Sequence, residues 1–178
     1  MHRPIKVLSL AVVGVWALGF FVTHTPAQEV RVKASQLPAA VKRTLATACP
    51  QCQIAKAARE VENGVTIYDF EFKHGKGEMD VTADGIVVSR ETLMAEKDVE
   101  SAALAAIRQA AAGGRIGPIL REEVTADLSD GKVVKLDAPK FFYEAELAKG
   151  DQVAEIKVTP SGQVTEAPVW RKKGTKEP

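Results

Sequence analysis

Apolar and polar positions change period several times along the chain. Leu37, Val41 and Leu45 recur at i, i+4 and i+8, the spacing of one helix face, which leaves Lys42 and Arg43 on the wet side. Ser35 can cap this helix, and Pro38 falls early in it, where a missing N–H costs nothing. Cys49-Pro50 should end it, because proline disfavours helical geometry in the residue before it. Ile54 to Glu62 reads as a strand, and Asn63-Gly64 as a hairpin turn, since both residues tolerate positive φ. Tyr68, Phe70 and Phe72 then alternate with Asp69, Glu71 and Lys73, the period of a strand with one wet face. Met79 and Val81 continue that pattern, and Asp84-Gly85 makes a turn before Ile86-Val87-Val88.

The pattern then returns. An alanine-rich helix is expected from about Lys97 to Ala112, stopped by Gly113-Gly114. Leu37 to Ile54 overlays Val99 to Ile116, and Tyr68 to Val81 overlays Tyr143 to Ile156, both without a gap. The second copy is longer by thirteen residues between Arg121 and Phe141 and by two near Pro160-Ser161-Gly162. The longer hairpin is expected to project from the fold. The implied class is α+β, with two repeats, each a helix packed on a small antiparallel β-sheet. The ranges are 37–92 for the first repeat and 97–170 for the second with its inserted hairpin, after a flexible leader at 28–36 and before a disordered basic tail at 171–178.

The ends set the compartment. Arg3 and Lys6 precede a sixteen-residue apolar stretch, Val7 to Val22, and Thr25-Pro26-Ala27 offers small residues for cleavage. Residues 1–27 therefore read as a signal peptide, since sixteen is short of the roughly 20 residues a membrane span needs. An uncleaved anchor is the other possibility; after cleavage no stable membrane span is expected. The expected location is periplasmic or secreted. Without Arg3 and Lys6 the chain carries 22 basic against 23 acidic side chains, which argues against a nucleic-acid binder with its basic stripe.

The first repeat, read in order, resembles the PepSY-like family of small exported domains. The residues that carry the likeness are Leu37-Pro38-Ala39-Ala40-Val41, Cys49-Pro50, Glu62-Asn63-Gly64, Tyr68-Asp69-Phe70-Glu71-Phe72 and Asp84-Gly85-Ile86-Val87. The match covers about residues 36–91, and the second copy fits more loosely, without the leucine-proline start and the Asn-Gly. The resemblance implies a shape similar to that of β-lactamase inhibitor proteins. It also implies a non-enzymatic envelope binder, acting as an inhibitor or a sensor of another envelope or secreted protein, and brings no catalytic residues. It names neither the partner nor the oligomeric state.

Chemistry-bearing residues are few. Cys49 and Cys52 should form a disulfide in an exported chain that has no other cysteine. A thiol redox or metal-handling protein centred on these two residues is the alternative function. Against it, a reactive thiol belongs at a helix N-terminus, whereas these follow a helix. Past the signal segment, only Cys49, Cys52 and His74 are available as zinc-type ligands, short of four. No metal, cofactor or catalytic residue is expected. A two-residue turn at Gly75-Lys76 would set Phe72 against Met79, Phe70 against Val81 and Glu71 against Asp80. Gly150-Asp151 would likewise set Leu147 against Ala154, Ala145 against Ile156 and Glu146 against Glu155. Opposed carboxylates disfavour a strand pair by a few tenths to about 1 kcal/mol. Two readings remain: a solvated face relieved by Lys73 and Lys157, or a surface that receives a basic protein segment or a divalent cation. The candidate partner-binding residues are Asp69, Glu71, Asp80, Glu144, Glu146 and Glu155.

Overall fold

A computed structural model describes residues 30–75 and 77–174; the expected signal segment lies outside them. Its elements are β1 (Val30–Arg31), α1 (Ala39–Ala48), β2 (Ile54–Glu62), β3 (Val65–Phe72), β4 (Glu78–Thr82) and β5 (Val87–Met94), then α2 (Ser101–Ala111), β6 (Arg115–Ser129), β7 (Lys132–Lys149), β8 (Gln152–Val158), β9 (Val164–Glu166) and β10 (Arg171–Lys172). All strands join one ten-stranded sheet in the order β1-β2-β3-β4-β5-β6-β7-β8-β10, with β9 also on β8. Every pairing is antiparallel.

This corrects the expected fold class. There are not two repeats with a helix on a small sheet each, because β5 and β6 pair without interruption from Ser89↔Val124 to Met94↔Ile119 and fuse the strands into a single sheet. The chain is mostly strand, with two α-helices among the described residues.

Each helix buries one stripe. Val41 of α1, with Leu37 just ahead of the helix, packs on Tyr68, Phe70, Phe72, Met79 and Val81, and in α2 Ala103, Ile107 and Ala111 pack on Ile119, Tyr143, Ala145, Leu147 and Ile156. Alanine at 103 and 111 lets α2 approach the sheet closely, as dense packing requires. Register shows that both helices share a face. Phe70 pairs with Met79 and Met79 with Arg90; Arg90, Thr92 and Met94 point the same way along β5, and Met94 faces Ile119 under α2. Among the described residues, no helix lies on the opposite face of the sheet.

That open face is curled inward at one end. The Asn63-Gly64 and Asp130-Gly131 tips meet, with Gly131 N–H donating to Asn63 O at 2.7 Å and Asn63 Nδ2 donating to Leu128 O at 3.1 Å. Their hairpins are separated in the sheet by β4 and β5, so the sheet must bend to join them. Ala58, Ile67 and Thr82 are buried on the side away from the helices, which makes that side the interior of the bend. The inserted hairpin therefore returns to the first half and does not simply project.

Smaller expectations also shift. The expected flexible leader supplies β1, paired to β2 through Val30↔Arg59 and Arg31↔Ala58. The expected frayed tail begins as β10 on β8. Ser35 lies in a 3-10 turn, Ala34–Gln36, and α1 starts after Pro38. The second helix starts at Ser101, behind another 3-10 turn, Glu96–Asp98, and ends in left-handed Ala112 and Gly113.

Gly77 has φ +87°, and a Cβ there would lie 1.8 Å from the Glu91 carbonyl oxygen of β5. Gly77→Ala is expected to lower stability by about 2 kcal/mol or more. Gly113→Ala, also at positive φ but with nothing within 4 Å of the added Cβ, should cost about 1 kcal/mol. Urea unfolding followed by circular dichroism checks both values.

Candidate functional site

Period-two alternation puts residues opposite one another in neighbouring strands on the same face. On the open face, β3, β4, β5 and β6 contribute Glu71↔Glu78, Glu78↔Glu91 and Glu91↔Glu122 in unbroken succession. A second row beside it reads Asp69↔Asp80↔Ser89. Further along, Glu146 faces Glu155, and Glu144 faces Lys157. All six carboxylates expected from the sequence thus share one face, and the fused sheet adds Glu78, Glu91 and Glu122 between them.

The second hairpin has the expected register throughout, including Glu146↔Glu155. The first does not. Phe70 faces Met79, Tyr68 faces Val81, and Glu71 faces Glu78 where Asp80 was expected. The loop is wider than two residues: Phe72 N–H bonds to Gly77 O at 3.0 Å, across a turn in which His74 takes φ 63°. Asp80 stands opposite Asp69, so opposed carboxylates persist with different partners.

Crowding changes how these groups hold protons. Burial pushes Asp80 up to about 7, and the charges of Asp69, Glu60 and Glu62 add to this against the lowering effect of its bond with Ser89. Ser89 Oγ donates that bond to Asp80 Oδ2 at 2.6 Å. Burial likewise pushes Glu91 up to about 8, reinforced by Glu144, Glu78, Glu122 and Asp80. Glu78 is raised by burial and by Asp69 and Glu71, with Lys56 opposing. Glu144 is raised by burial, with Lys157 opposing.

Lys157 sits among the carboxylates of the second half. Its Nζ lies 2.7 Å from Glu122 Oε2, 3.7 Å from Glu144 Oε2 and 3.9 Å from Glu166 Oε1. The ammonium also lies 5.6 Å from the centre of the Phe142 ring, within reach of a cation–π attraction. Burial alone would lower its pKa, but the hydrogen bond with Glu122 and the three negative charges outweigh this and raise it. Lys157 therefore offsets charge at Glu122, Glu144 and Glu166, rather than at the Glu146 and Glu155 pair expected from the sequence. Lys73, the other expected cation, lies in the turn Lys73–Gly75, while Lys56 is the basic residue opposite Glu71.

Cys49 and Cys52 are joined in a disulfide with Cα atoms 5.3 Å apart, an ordinary separation for such a bond. They lie at the C-terminal exit of α1, where Cys49 N–H bonds back to Leu45 O. No group of three or more His, Cys, Asp or Glu residues suited to a metal ion occurs among the described residues. No described helix is long and apolar enough to cross a membrane.

The fold is shared with a solved chain described as a candidate periplasmic protein from Bacteroides eggerthii. The two are 16% identical, the match covers 76% of this chain and 88% of that one, and the TM-score is 0.54. Two further solved chains superpose more loosely. A DUF2874 family protein from Bacteroides uniformis has 17% identity, covers 76% of this chain and 88% of its own, and has a TM-score of 0.48. A BLIP-like protein from Bacteroides fragilis has 14% identity, coverage of 79% and 93%, and a TM-score of 0.47. No sequence-family model matches the chain, so the PepSY-like resemblance and the tandem copies have no match of that kind behind them. No curated protein matches it in sequence.

The raised carboxyl pKa values fix the sign of one contribution to stability. Asp80 and Glu91 bind protons more tightly folded than unfolded, so what these two groups contribute is greatest below about pH 4 and falls as pH rises from about 4 to about 8. The double variant Asp80→Asn, Glu91→Gln should flatten that decline and melt higher than the parent at pH 8. Thermal melts at half-unit pH steps check it.

Proposed function

We propose that this chain is an exported, non-enzymatic binding module whose open sheet face receives a cationic segment of another envelope or secreted protein, as an inhibitor or a sensor of it. The observation that carries this reading is the cross-strand ladder Glu71–Glu78–Glu91–Glu122 on the face that neither helix covers. Each opposed pair of ionised carboxylates costs a few tenths to about 1 kcal/mol of strand pairing, so folding alone gives no reason to place them there. A docked lysine or arginine would turn that cost into attraction. It would also lower the carboxyl pKa values and release protons.

The likeness to a candidate periplasmic protein supports export, and the N-terminal segment 1–27 would direct it. Electrostatic complementarity of this kind governs partner choice and association rate more than affinity, and it weakens with salt.

The test is affinity capture from envelope extract with residues 28–178, which hold every described element, beside a folded Glu71→Lys, Glu146→Lys variant. The parent should retain a protein that elutes as salt is raised, and the variant should retain at least about tenfold less of it. Equal retention by both would contradict a binding role for the acidic face.

A further inference from the structure

The two halves of the open face are not equivalent. In the second half, Lys157 already occupies the space among Glu122, Glu144 and Glu166. In the first half, Glu71 and Glu78 border a groove of about 550 Å³ whose walls include Ala55, Leu93, Pro118 and Leu120. Leu93 is 48% exposed, and it faces Leu120 across the β5–β6 pair, so the two leucines form a continuous apolar strip. Next along the strands, Glu91 pairs with Glu78 and with Glu122. The groove thus joins a wet apolar wall to a run of carboxylates; Lys73 and His74 also line it, and Lys56 lies opposite Glu71 and opposes the rise at Glu78.

We infer that this groove is the docking point for a protruding loop of another protein that presents a lysine or arginine next to a large apolar side chain. The inference rests on the reading of the open face as a protein-binding surface, and it narrows that surface to one end. Charge complementarity selects the occupant. The cation would lie over Glu71, Glu78 and Glu91, while the neighbouring apolar side chain covers Leu93 and Leu120. Paired contacts of this kind give specificity, because a purely cationic segment leaves the leucines wet and a purely apolar one adds no charge to offset the carboxylates. Lys157 deepens the contrast by making the other half a poorer place for a second cation. Burial of the carboxyls supports the same choice: Glu78 and Glu91 hold their protons above the ordinary carboxylate range, and an incoming cation would displace them.

The experiment is a methyl and amide NMR titration of residues 28–178 at low ionic strength. The probes are three acetylated, amidated hexapeptides alternating lysine with leucine, lysine with serine, and glutamate with leucine. The lysine–leucine peptide is expected to shift the Leu93 and Leu120 methyls saturably and to bind at least about fivefold tighter than the other two. Glu78→Gln with Glu91→Gln should weaken it about fivefold, whereas Glu96→Gln, whose carboxylate lies 2.6 Å from Arg108 and does not line the groove, should not. Equal binding of the lysine–serine peptide, with shifts centred on Glu146 and Glu155, would overturn the groove assignment and leave the wider acidic-face reading standing. Equal binding of the glutamate–leucine peptide would overturn the role of charge. Absence of saturable binding by either cationic peptide would overturn both readings.

Discussion

The pairing of β5 with β6 is the constraint on which the rest of the molecule depends. Six consecutive residues of each strand face one another, from Ser89↔Val124 to Met94↔Ile119. Without that contact each half would end in an exposed edge of unpaired N–H and C=O groups, a template for unwanted association. With it, both helices lie on one side and both apolar clusters back onto one sheet. The same pairing places Glu91 between Glu78 and Glu122. Short runs of negative charge become a continuous one.

The consequence is a face under electrostatic load. Buried carboxyls that keep their protons near neutrality cost the fold stability in their charged form. The chain offsets part of that load with Lys157, held by three carboxylates and the Phe142 ring. In the first half the position of Lys157 is taken by Thr82, a buried residue, and the basic residue is Lys56 on β2, opposite Glu71 and opposing the rise at Glu78. The two ends of the shared face are thus relieved from different strands, β2 and β8. The bent end, closed by the Asn63–Gly131 contact, holds the long hairpin against the first half of the sheet.

Local structure was legible wherever one short stretch determined it. The limits of β2, the Asn63-Gly64 turn and the register at Gly150-Asp151 follow from alternation and turn chemistry. The first hairpin escaped because its register depends on Gly77 pressed against the Glu91 carbonyl of another strand, a contact that neighbouring residues do not announce. The β5–β6 pairing escaped because α2 intervenes, and two copies with their own sheets predict the same local periods as one fused sheet. Glu78, Glu91 and Glu122 went unnoticed for the same reason, since each becomes notable only beside the next. The alternation of Glu78 with Met79 and of Glu91 with Arg90 and Thr92 was the available signal for their faces, though not for their adjacency. The two-residue strands β1 and β10 are too short to leave a period.

The most direct test of this account is whether the two halves form one sheet in solution. Cross-strand nuclear Overhauser contacts between the backbones of Glu91 and Glu122 and of Leu93 and Leu120, together with slow amide exchange along Arg90 to Met94, are the predicted result. Absence of those contacts, with fast exchange confined to that strand, would show two separate sheets. The continuous acidic face would then not exist.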